Sequence, residues 1–167
     1  MLPRKFIEPC GSYQFALEPL TDALVDELRP LHAMHWQETE KFRHGLKLDA
    51  NYARMQELNA LGRYVVFTAR LADVLVGNCA MHLFESMHTK TLGAKEDTLF
   101  VVPEHRVGRM PWKFIDYVER VLKAIGASEI YITAKMGTRS LRIFEARGYR
   151  QTAIEYHKLL EASHVQP

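Results

Sequence analysis

One stretch, residues 101–114 (VVPEHRVGRMPWKF), constrains the fold more than any other part of the chain. The apolar run DTLFVV predicts a buried strand that stops at Pro103, because proline cannot donate to a ladder of backbone hydrogen bonds. A short loop follows, and residues 111–125 then show helical spacing along an apolar face of Ile115, Val118, Val121, Leu122 and Ile125. Gly126 suits the stop position of this helix. A buried strand followed by an amphipathic helix is typical of a sheet covered by helices.

The remaining pattern adds elements on both sides of this unit. Upstream, YQFALEPL alternates weakly as a strand, Thr21 can cap a helix that Pro30 should kink or end, and Asp49 can cap a second helix. The segments RYVVFTAR and VLVGNCAMHLFES flank the short link LAD, which predicts a hairpin. Downstream, EIYITA predicts a strand, a helix over residues 138–147 ends at Gly148, and YRQTAIEYHKLL closes the chain as one or two strands. The predicted class is α/β with a mixed sheet.

Length and composition indicate how many domains the chain has and limit the kinds of partner that it can bind. The 167 residues predict a single domain, residues 1–167, with a sizeable core. The 22 basic and 20 acidic side chains give a net charge of +2, which offers no electrostatic case for nucleic acid or an anionic membrane as partner. There is no apolar signal-peptide core, and no apolar run approaches the length of a membrane span. We expect a reduced, cytoplasmic protein, although its two cysteines, Cys10 and Cys79, do not exclude a disulfide.

Two segments make the pattern more specific: LFVVPEHRVGRMPWKFIDYVE and GTRSLRIFEARGY. The first has a hydrophobic strand, Pro-Glu and a loop that opens a helix, and the second has a helix followed by Gly-Tyr. Together with the order of elements, they resemble the GNAT superfamily of N-acetyltransferases over residues 13–160. The resemblance implies a GNAT-like acyl-CoA N-acyltransferase fold, with a mixed, mostly antiparallel sheet flanked by helices. It also implies acetyl-CoA as co-substrate and an amine of a small molecule or a protein as acceptor.

The resemblance assigns the co-substrate to the strand, the loop and the start of the helix. In the family, backbone groups of the strand bind the pantetheine arm, and N–H groups of the loop and helix bind the pyrophosphate with help from the helix dipole. The residues at these positions, together with one in the last helix, are Phe100, Val101, Val102, Arg106, Val107, Gly108, Arg109, Met110 and Phe144.

The loop matches the family motif, Arg/Gln-x-x-Gly-x-Gly/Ala, only at its first position, Arg106. Arg109 stands at the first glycine position, Pro111 stands at the last position, and Gly108 lies one place too early. Fewer glycines restrict how closely the backbone approaches phosphate, and proline removes one N–H donor. Arg106, Arg109 and Lys113 offer positive charge instead, because guanidinium groups bind phosphate in a bidentate way. We therefore expect a degraded but still positive cradle.

The general acid of the family is commonly a tyrosine in the last helix, and an asparagine precedes that helix. By resemblance, these positions hold Phe144, which has no proton to give, and Gly137. Tyr149 is a candidate acid because it follows the glycine that ends the helix, although packing is the simpler role for it. Tyr117 and Tyr156 are weaker candidates. We therefore expect acetyl transfer to be slow or absent.

Candidate bases lie at the start of the strand, where the resemblance places carboxylates and this chain has Glu96 and Asp97. Regular alternation would put Asp97 on the face of Val101 and Glu96 on the opposite face, so that only one of them enters the cleft. Solvated charges at a strand edge are the alternative interpretation. His82, on the preceding strand, is a further candidate because imidazole titrates near neutral pH.

Several histidines raise a zinc hypothesis. His32 and His35 lie three residues apart and could be joined by His44 or His88, but no fixed ligand spacing unites them. We therefore predict no metal site. The same region has two aromatic residues that are expected to line the acceptor site or a partner surface, Trp36 and Phe42.

Two functions compete on these grounds. The first is an active N-acetyltransferase, and the second is a protein that kept the fold but has a structural or protein-interaction role. The sequence also resembles phage-encoded members of the family in character, which would place the protein in the host cytoplasm or the virion. The sequence leaves open whether the protein binds a protein partner and whether it forms a homo-oligomer. For the fold, we expect the strand near residues 99–102 to diverge from that near residues 129–134, leaving a V-shaped cleft.

Overall fold

The structure, a computed structural model, describes residues 6–40, 47–135, 139–156 and 158 of the chain. Its framework is a six-stranded sheet in which the strands lie side by side in chain order. Neighbouring strands are antiparallel except for β5 and β6, which are parallel, so the predicted mixed sheet is confirmed. The strands are β1 Glu8–Cys10, β2 Tyr13–Glu18, β3 Tyr64–Leu71, β4 Val74–Glu85, β5 Leu92–Val101 and β6 Ala127–Tyr131.

Helices cover both faces of this sheet. They are α1 Asp22–His35, α2 Tyr52–Ala60, α3 Met110–Ala124 and α4 Arg139–Ala146. A π-helical turn, Trp36–Glu40, extends α1, and a 3-10 turn, Pro103–His105, follows β5. Within the described ranges, none of the helices combines the length and apolar character needed to cross a bilayer.

The core has two halves, one on each face of the sheet. On one face, the predicted apolar stripe of α3, including Val118 and Leu122, packs against buried residues of β2, β3 and β4. On the other face, α1 buries Leu24 and Leu28 against the side chains of β3 and β5. Gly126 ends α3 with a φ of +98°, a left-handed conformation that glycine adopts without strain. The two halves hold the sheet in place between α1 and α3.

At the first two helices, the structure differs from the sequence expectation in two details. The Thr21 hydroxyl caps α1 as predicted, by accepting from the Leu24 N–H, but α1 continues through Pro30 and does not end there. Pro30 lies on the exposed face, where water can solvate the carbonyl that loses its partner, while buried leucines on either side hold the helix on the sheet. The cap of α2 is Asn51, which accepts from the Arg54 N–H at 3.1 Å, and not Asp49.

The predicted closing strand is also wrong over the residues that the structure describes. Residues 151–156 are exposed throughout and form no strand there. The alternating pattern of this segment does not produce a strand, because a strand that has neither a partner nor a buried face is not stable. A short β1, which the sequence analysis did not predict, pairs with β2 at the opposite side of the sheet.

The central prediction about the sheet is confirmed: β5 and β6 diverge. They pair from Leu92 and Ala127 only as far as Lys95 and Tyr131. Beyond Lys95, β5 continues to pair with β4 up to Val101, so it stays part of the sheet while its other edge opens. The helix α3 lies on this sheet and begins shortly after β5 ends.

Candidate functional site

The divergence of β5 and β6 opens onto a cavity of about 830 Å³. Its walls come from the end of α1 and the π-helical turn, from β5, from the start of α3, from the segment after β6 and from α4. The charged side chains that matter most here are Glu38, Glu96, Asp97 and Arg106. A space of this size suits a ligand larger than a simple amine or acetyl group.

A bulge in β5 arranges the carboxylates. The register with β4 passes from Glu96 directly to Thr98, so Asp97 is an extra residue on β5. Such a residue breaks the alternation of side chains along the strand. Asp97 and Thr98 therefore both lie on the α1 face, where they contact Tyr64 and His35 respectively.

The bulge overturns one expectation from the sequence. Regular alternation predicted that Asp97 would share a face with Val101 and that only one of the two carboxylates would enter the cavity. Val101 packs in the core below α3, whereas Asp97 lies on the opposite face, and both Glu96 and Asp97 line the cavity. The site therefore has two carboxylates at the point where the strands part.

Each of these carboxylates is held by a donor from another strand or its extension. The Tyr64 hydroxyl donates to Asp97 at 2.6 Å, and His82 Nε2 lies 3.7 Å from the other carboxylate oxygen. Glu96 accepts from the backbone N–H of Thr133, just after β6, at 3.2 Å. A carboxylate has about four lone-pair sites, so the two contacts of Asp97 leave acceptor capacity for a ligand.

The end of α1 forms a polar wall next to the bulge. His35 lines the cavity, its Nδ1 lies 3.0 Å from Thr98 Oγ1, and its ring packs 5.3 Å from that of Phe100. One helical turn earlier, His32 Nδ1 lies 3.0 Å from the Tyr52 hydroxyl. Burial lowers the pKa of His32 to about 4, the nearby His35 acts in the same direction, and Asp97 opposes them. His32 is therefore neutral at pH 7 and ties α1 to α2.

Arg106, the residue that matches the phosphate motif, is engaged within the protein. Its Nη1 and Nη2 donate to the two carboxylate oxygens of Glu38 at 2.6 and 2.7 Å. Its Nε donates to the Val101 carbonyl at 2.6 Å, and the guanidinium lies 4.9 Å from the centre of the Phe100 ring. These hydrogen bonds lower the pKa of Glu38. We call this pair of residues, Arg106 and Glu38, the clasp.

The loop that leads into α3 offers fewer backbone donors than its position suggests. Gly108 has a φ of +57°, so the loop does use its glycine for a left-handed turn. Arg109 is exposed at the N-cap of α3, Met110 is buried, and Val107 is 61% exposed. Pro111 lies in the first turn of α3 and lines the cavity, which removes one N–H from that wall.

Comparison with known proteins identifies the fold. Sequence comparison finds no matching family model and no matching curated protein. By structure, the chain is similar to the aminoglycoside acetyltransferase meta-AAC0020 from an uncultured soil metagenomic sample in complex with trehalose, with a TM-score of 0.73, 14% identity and coverage of 92% of this chain and 100% of that chain. It is also similar to the ribosomal-protein-alanine N-acetyltransferase from Brucella melitensis biovar Abortus 2308, with a TM-score of 0.69, 20% identity and coverage of 89% and 99%.

The chain has the GNAT acetyltransferase fold. The same metagenomic enzyme solved in complex with sisomicin gives a TM-score of 0.72 at 14% identity, with 90% of this chain and 97% of that chain covered. At these identities the likeness establishes the fold and not the roles of individual residues.

The tyrosine that the sequence resemblance led us to expect as general acid has no counterpart among the described residues of the cavity wall. Phe144, in α4, is 7% exposed and lines the cavity. All seven tyrosines lie in the described part of the chain, and none of them lines the cavity. Tyr149 packs its ring 5.3 Å from that of Phe144, and burial raises its pKa. Tyr117 is 1% exposed in the core, and Tyr156 is 89% exposed.

The other predicted residues are distributed as follows. Of the proposed co-substrate residues, Phe100, Val101, Arg106 and Phe144 line the cavity, whereas Val102 pairs its N–H with the carbonyl of Val76 on β4. Gly137, His44 and Phe42 lie outside the described residues. Among the residues that are described, no group of three or more His, Cys, Asp or Glu side chains could hold a metal ion.

Several residues of the cavity wall could not be predicted from the sequence. Glu38 and Thr39 lie in the π-helical turn, in a stretch that has no clean hydrophobic period. The resemblance did point to this segment, since it lies between the first two helices, but it favoured Trp36 and Phe42 rather than Glu38. Lys95 and Lys135 also line the cavity, and no local pattern distinguishes them from other surface lysines.

Proposed function

We propose that this protein is an acetyl-CoA-dependent N-acetyltransferase that acts on an amine of a small molecule or a protein. The observation that carries the proposal is the parting of β5 from β6 beside two carboxylates, in a chain with the GNAT fold. The open edge of β5 offers backbone groups, and the cavity has the volume for an extended ligand. When bound, acetyl-CoA supplies the acetyl group as a thioester.

The residues for binding follow from this geometry. The N–H of Val102 pairs with Val76 on β4, and hydrogen-bonding direction alternates along an antiparallel strand, so Leu99 and Val101 turn their backbone groups toward the open edge of β5. There the groups of Leu99 and the N–H of Val101 can bind the amide groups of a pantetheine arm. The first turn of α3 and the arginines before it lie where positive potential favours the phosphates. Pro111 weakens this second contact by removing a donor, so we expect modest affinity.

Asp97 is the proposed general base. Its carboxylate lies in the cavity wall on the α1 face, and the hydrogen bond from Tyr64 fixes its orientation. It can take the proton of an acceptor ammonium, so that the amine nitrogen can attack the acetyl carbonyl. A backbone N–H on the open edge of β5 can stabilise the negative charge that develops on the carbonyl oxygen. Glu96 is the alternative base, held by Thr133 on the β6 side.

Departure of the thiolate is the weak step. Phe144 has no proton to give, and no tyrosine lines the cavity, so we propose that water relays the second proton of the attacking nitrogen to the departing thiolate. This makes transfer slow compared with an enzyme that has a positioned acid, whose contribution is typically about 10²–10⁴-fold. The same observation favours the second candidate function, a GNAT-fold protein that binds CoA but acts through protein interaction.

The test is release of thiol from acetyl-CoA in the presence of a panel of amines. The panel should include an aminoglycoside such as sisomicin and a peptide with N-terminal alanine, because similar structures carry those names, together with lysine peptides. We expect amine-dependent thiol release with at least one class and its loss in Asp97→Asn. Binding of acetyl-CoA without turnover for any amine would instead support the second candidate function.

A further inference from the structure

The clasp joins two parts of the cavity wall that are distant in the chain. Arg106 comes from the loop between β5 and α3, and Glu38 comes from the π-helical turn after α1, 68 residues earlier. Both residues line the cavity. The pair therefore connects the side where α3 begins with the side where α1 ends.

Each nitrogen of the Arg106 guanidinium donates one hydrogen bond within the protein, which uses three of its five N–H groups. Two of its nitrogens donate to Glu38 and the third donates to the Val101 carbonyl, which lies on the β5 edge. An anion that approaches the start of α3 would therefore meet an arginine whose donors already serve a carboxylate. A phosphate group can replace a carboxylate in this geometry, because guanidinium binds both in a bidentate way.

The clasp can open without breaking the core. The side chains of Arg106 and Glu38 are 36% and 44% exposed, so water reaches both partners. Exposed ion pairs of this kind are worth about fivefold or less in an equilibrium constant. A polyanionic ligand at the start of α3 is therefore able to compete for the guanidinium.

We propose that Glu38 and the anionic part of acetyl-CoA compete for Arg106, and that co-substrate binding thereby releases Glu38 to bind a cationic acceptor. This inference rests on the proposed function, since it assigns an order to the two substrates of the same cavity. The freed carboxylate lies in the wall beside His35 and Thr39, at the end of α1. Because coupling between two ligands is reciprocal, a bound cationic acceptor also favours the open clasp and tightens co-substrate binding.

The test measures the affinity for CoA by titration calorimetry at fixed salt, in the wild type and in Glu38→Gln. Removing the competitor should tighten CoA binding by about two- to fivefold. Glu104→Gln is the matched control: Glu104 is an exposed carboxylate two residues from Arg106, outside the cavity wall, and its loss removes the same charge. The control should change affinity by less than about twofold, since an exposed carboxylate without an ion-pair role has a small, screened effect.

A double-mutant cycle separates competition from a change in fold. In an Arg106→Gln background, Glu38→Gln should no longer alter CoA affinity, because the contested guanidinium is absent. CoA binding that is detectable only in Glu38→Gln would also support the clasp as a competitor. Equal affinity in wild type and Glu38→Gln, weaker binding in Glu38→Gln, or no binding by either protein would overturn it. The first two results leave the proposed acetyltransferase activity standing, whereas the third contradicts both proposals.

Discussion

The two ends of the cavity are built in different ways. At the carboxylate end, formed by Glu96 and Asp97, each side chain is fixed by a hydrogen bond from another strand or its extension. At the loop end, residues 106–111, Arg106 is held by Glu38, and the first turn of α3 contains Pro111. The carboxylate end is thus prepared for proton transfer, whereas the loop end must rearrange to bind an anion. Catalytic and binding capacity can therefore be tested separately in this chain.

The largest expected effect is at the carboxylate end. Asp97→Asn should lower the turnover number for amine acetylation by about 10²–10⁴-fold, because the amide cannot take a proton. CoA affinity should change by less than about threefold, since Asp97 lies away from the proposed phosphate contacts. The measurement is steady-state thiol release together with calorimetric CoA binding. Glu96→Gln is the control, and a larger loss in that variant would move the role of base to Glu96.

The next largest effect is expected in the free energy of unfolding, which should depend on pH through His32 in α1. The pKa of His32 is lowered from 6.5 to about 4 in the folded protein, so the unfolded chain binds the proton more readily between these values. The contribution of His32 to stability is therefore complete above pH 6.5 and falls as the pH drops toward 4, by up to about 3 kcal/mol. Urea unfolding at several pH values measures it.

The matched comparison uses two histidine variants. His32→Gln should flatten the pH dependence between pH 6.5 and 4, because glutamine does not titrate. His88→Gln, at an exposed position, should leave the dependence unchanged. Identical slopes in the wild type and His32→Gln would show that His32 is not buried as described.

A smaller gain is expected in α4. Phe144→Tyr places a hydroxyl in the cavity wall, where it can protonate the departing thiolate, and should raise turnover by about tenfold. The gain requires that acetyl-CoA binds, so it should appear in the turnover number rather than in the affinity for CoA. Phe144→Leu is the control without an acid and should not raise turnover. An unchanged rate in Phe144→Tyr would mean that protonation of the thiolate does not limit transfer.

The smallest effect is expected at the loop end. Pro111→Ala restores one backbone N–H in the first turn of α3, and a hydrogen bond of this kind contributes about 1 kcal/mol, or about fivefold in CoA affinity. Pro30→Ala, in α1 and outside the cavity wall, should leave that affinity unchanged. Weaker CoA binding by Pro111→Ala would show that the rigid start of α3 matters more than the missing donor.

The same contrast explains what the sequence could predict. Strand β5, helix α3 and the divergence of β5 from β6 follow from local periodicity and from the resemblance of one continuous segment. The bulge at Asp97 has no such signal, because an extra residue in a strand leaves the hydrophobic pattern almost unchanged. Regular alternation therefore gave the wrong face for this residue.

Contacts between distant segments of the chain could not be predicted from the sequence either. The clasp between Arg106 and Glu38 spans 68 residues, and no local pattern links its partners. Likewise, the hydrogen bond from Tyr64 to Asp97 depends on the pairing of three strands. Local sequence identified the loop as a degraded phosphate motif, but only the fold shows which internal carboxylate engages its arginine.

The most direct test of the proposed acetyl-transfer site is to locate the acetyl group of bound acetyl-CoA. Backbone amide shifts of the protein should be compared by NMR with CoA and with acetyl-CoA, since the two ligands differ only at the acetyl group. We expect the differences between them to concentrate in residues 96–101 of β5, next to Asp97 and on the open edge of the strand. Shifts at the start of α3 should be the same with both ligands. Differences confined to other parts of the chain, or no response to either ligand, would contradict the proposal that this cavity is an acetyl-transfer site.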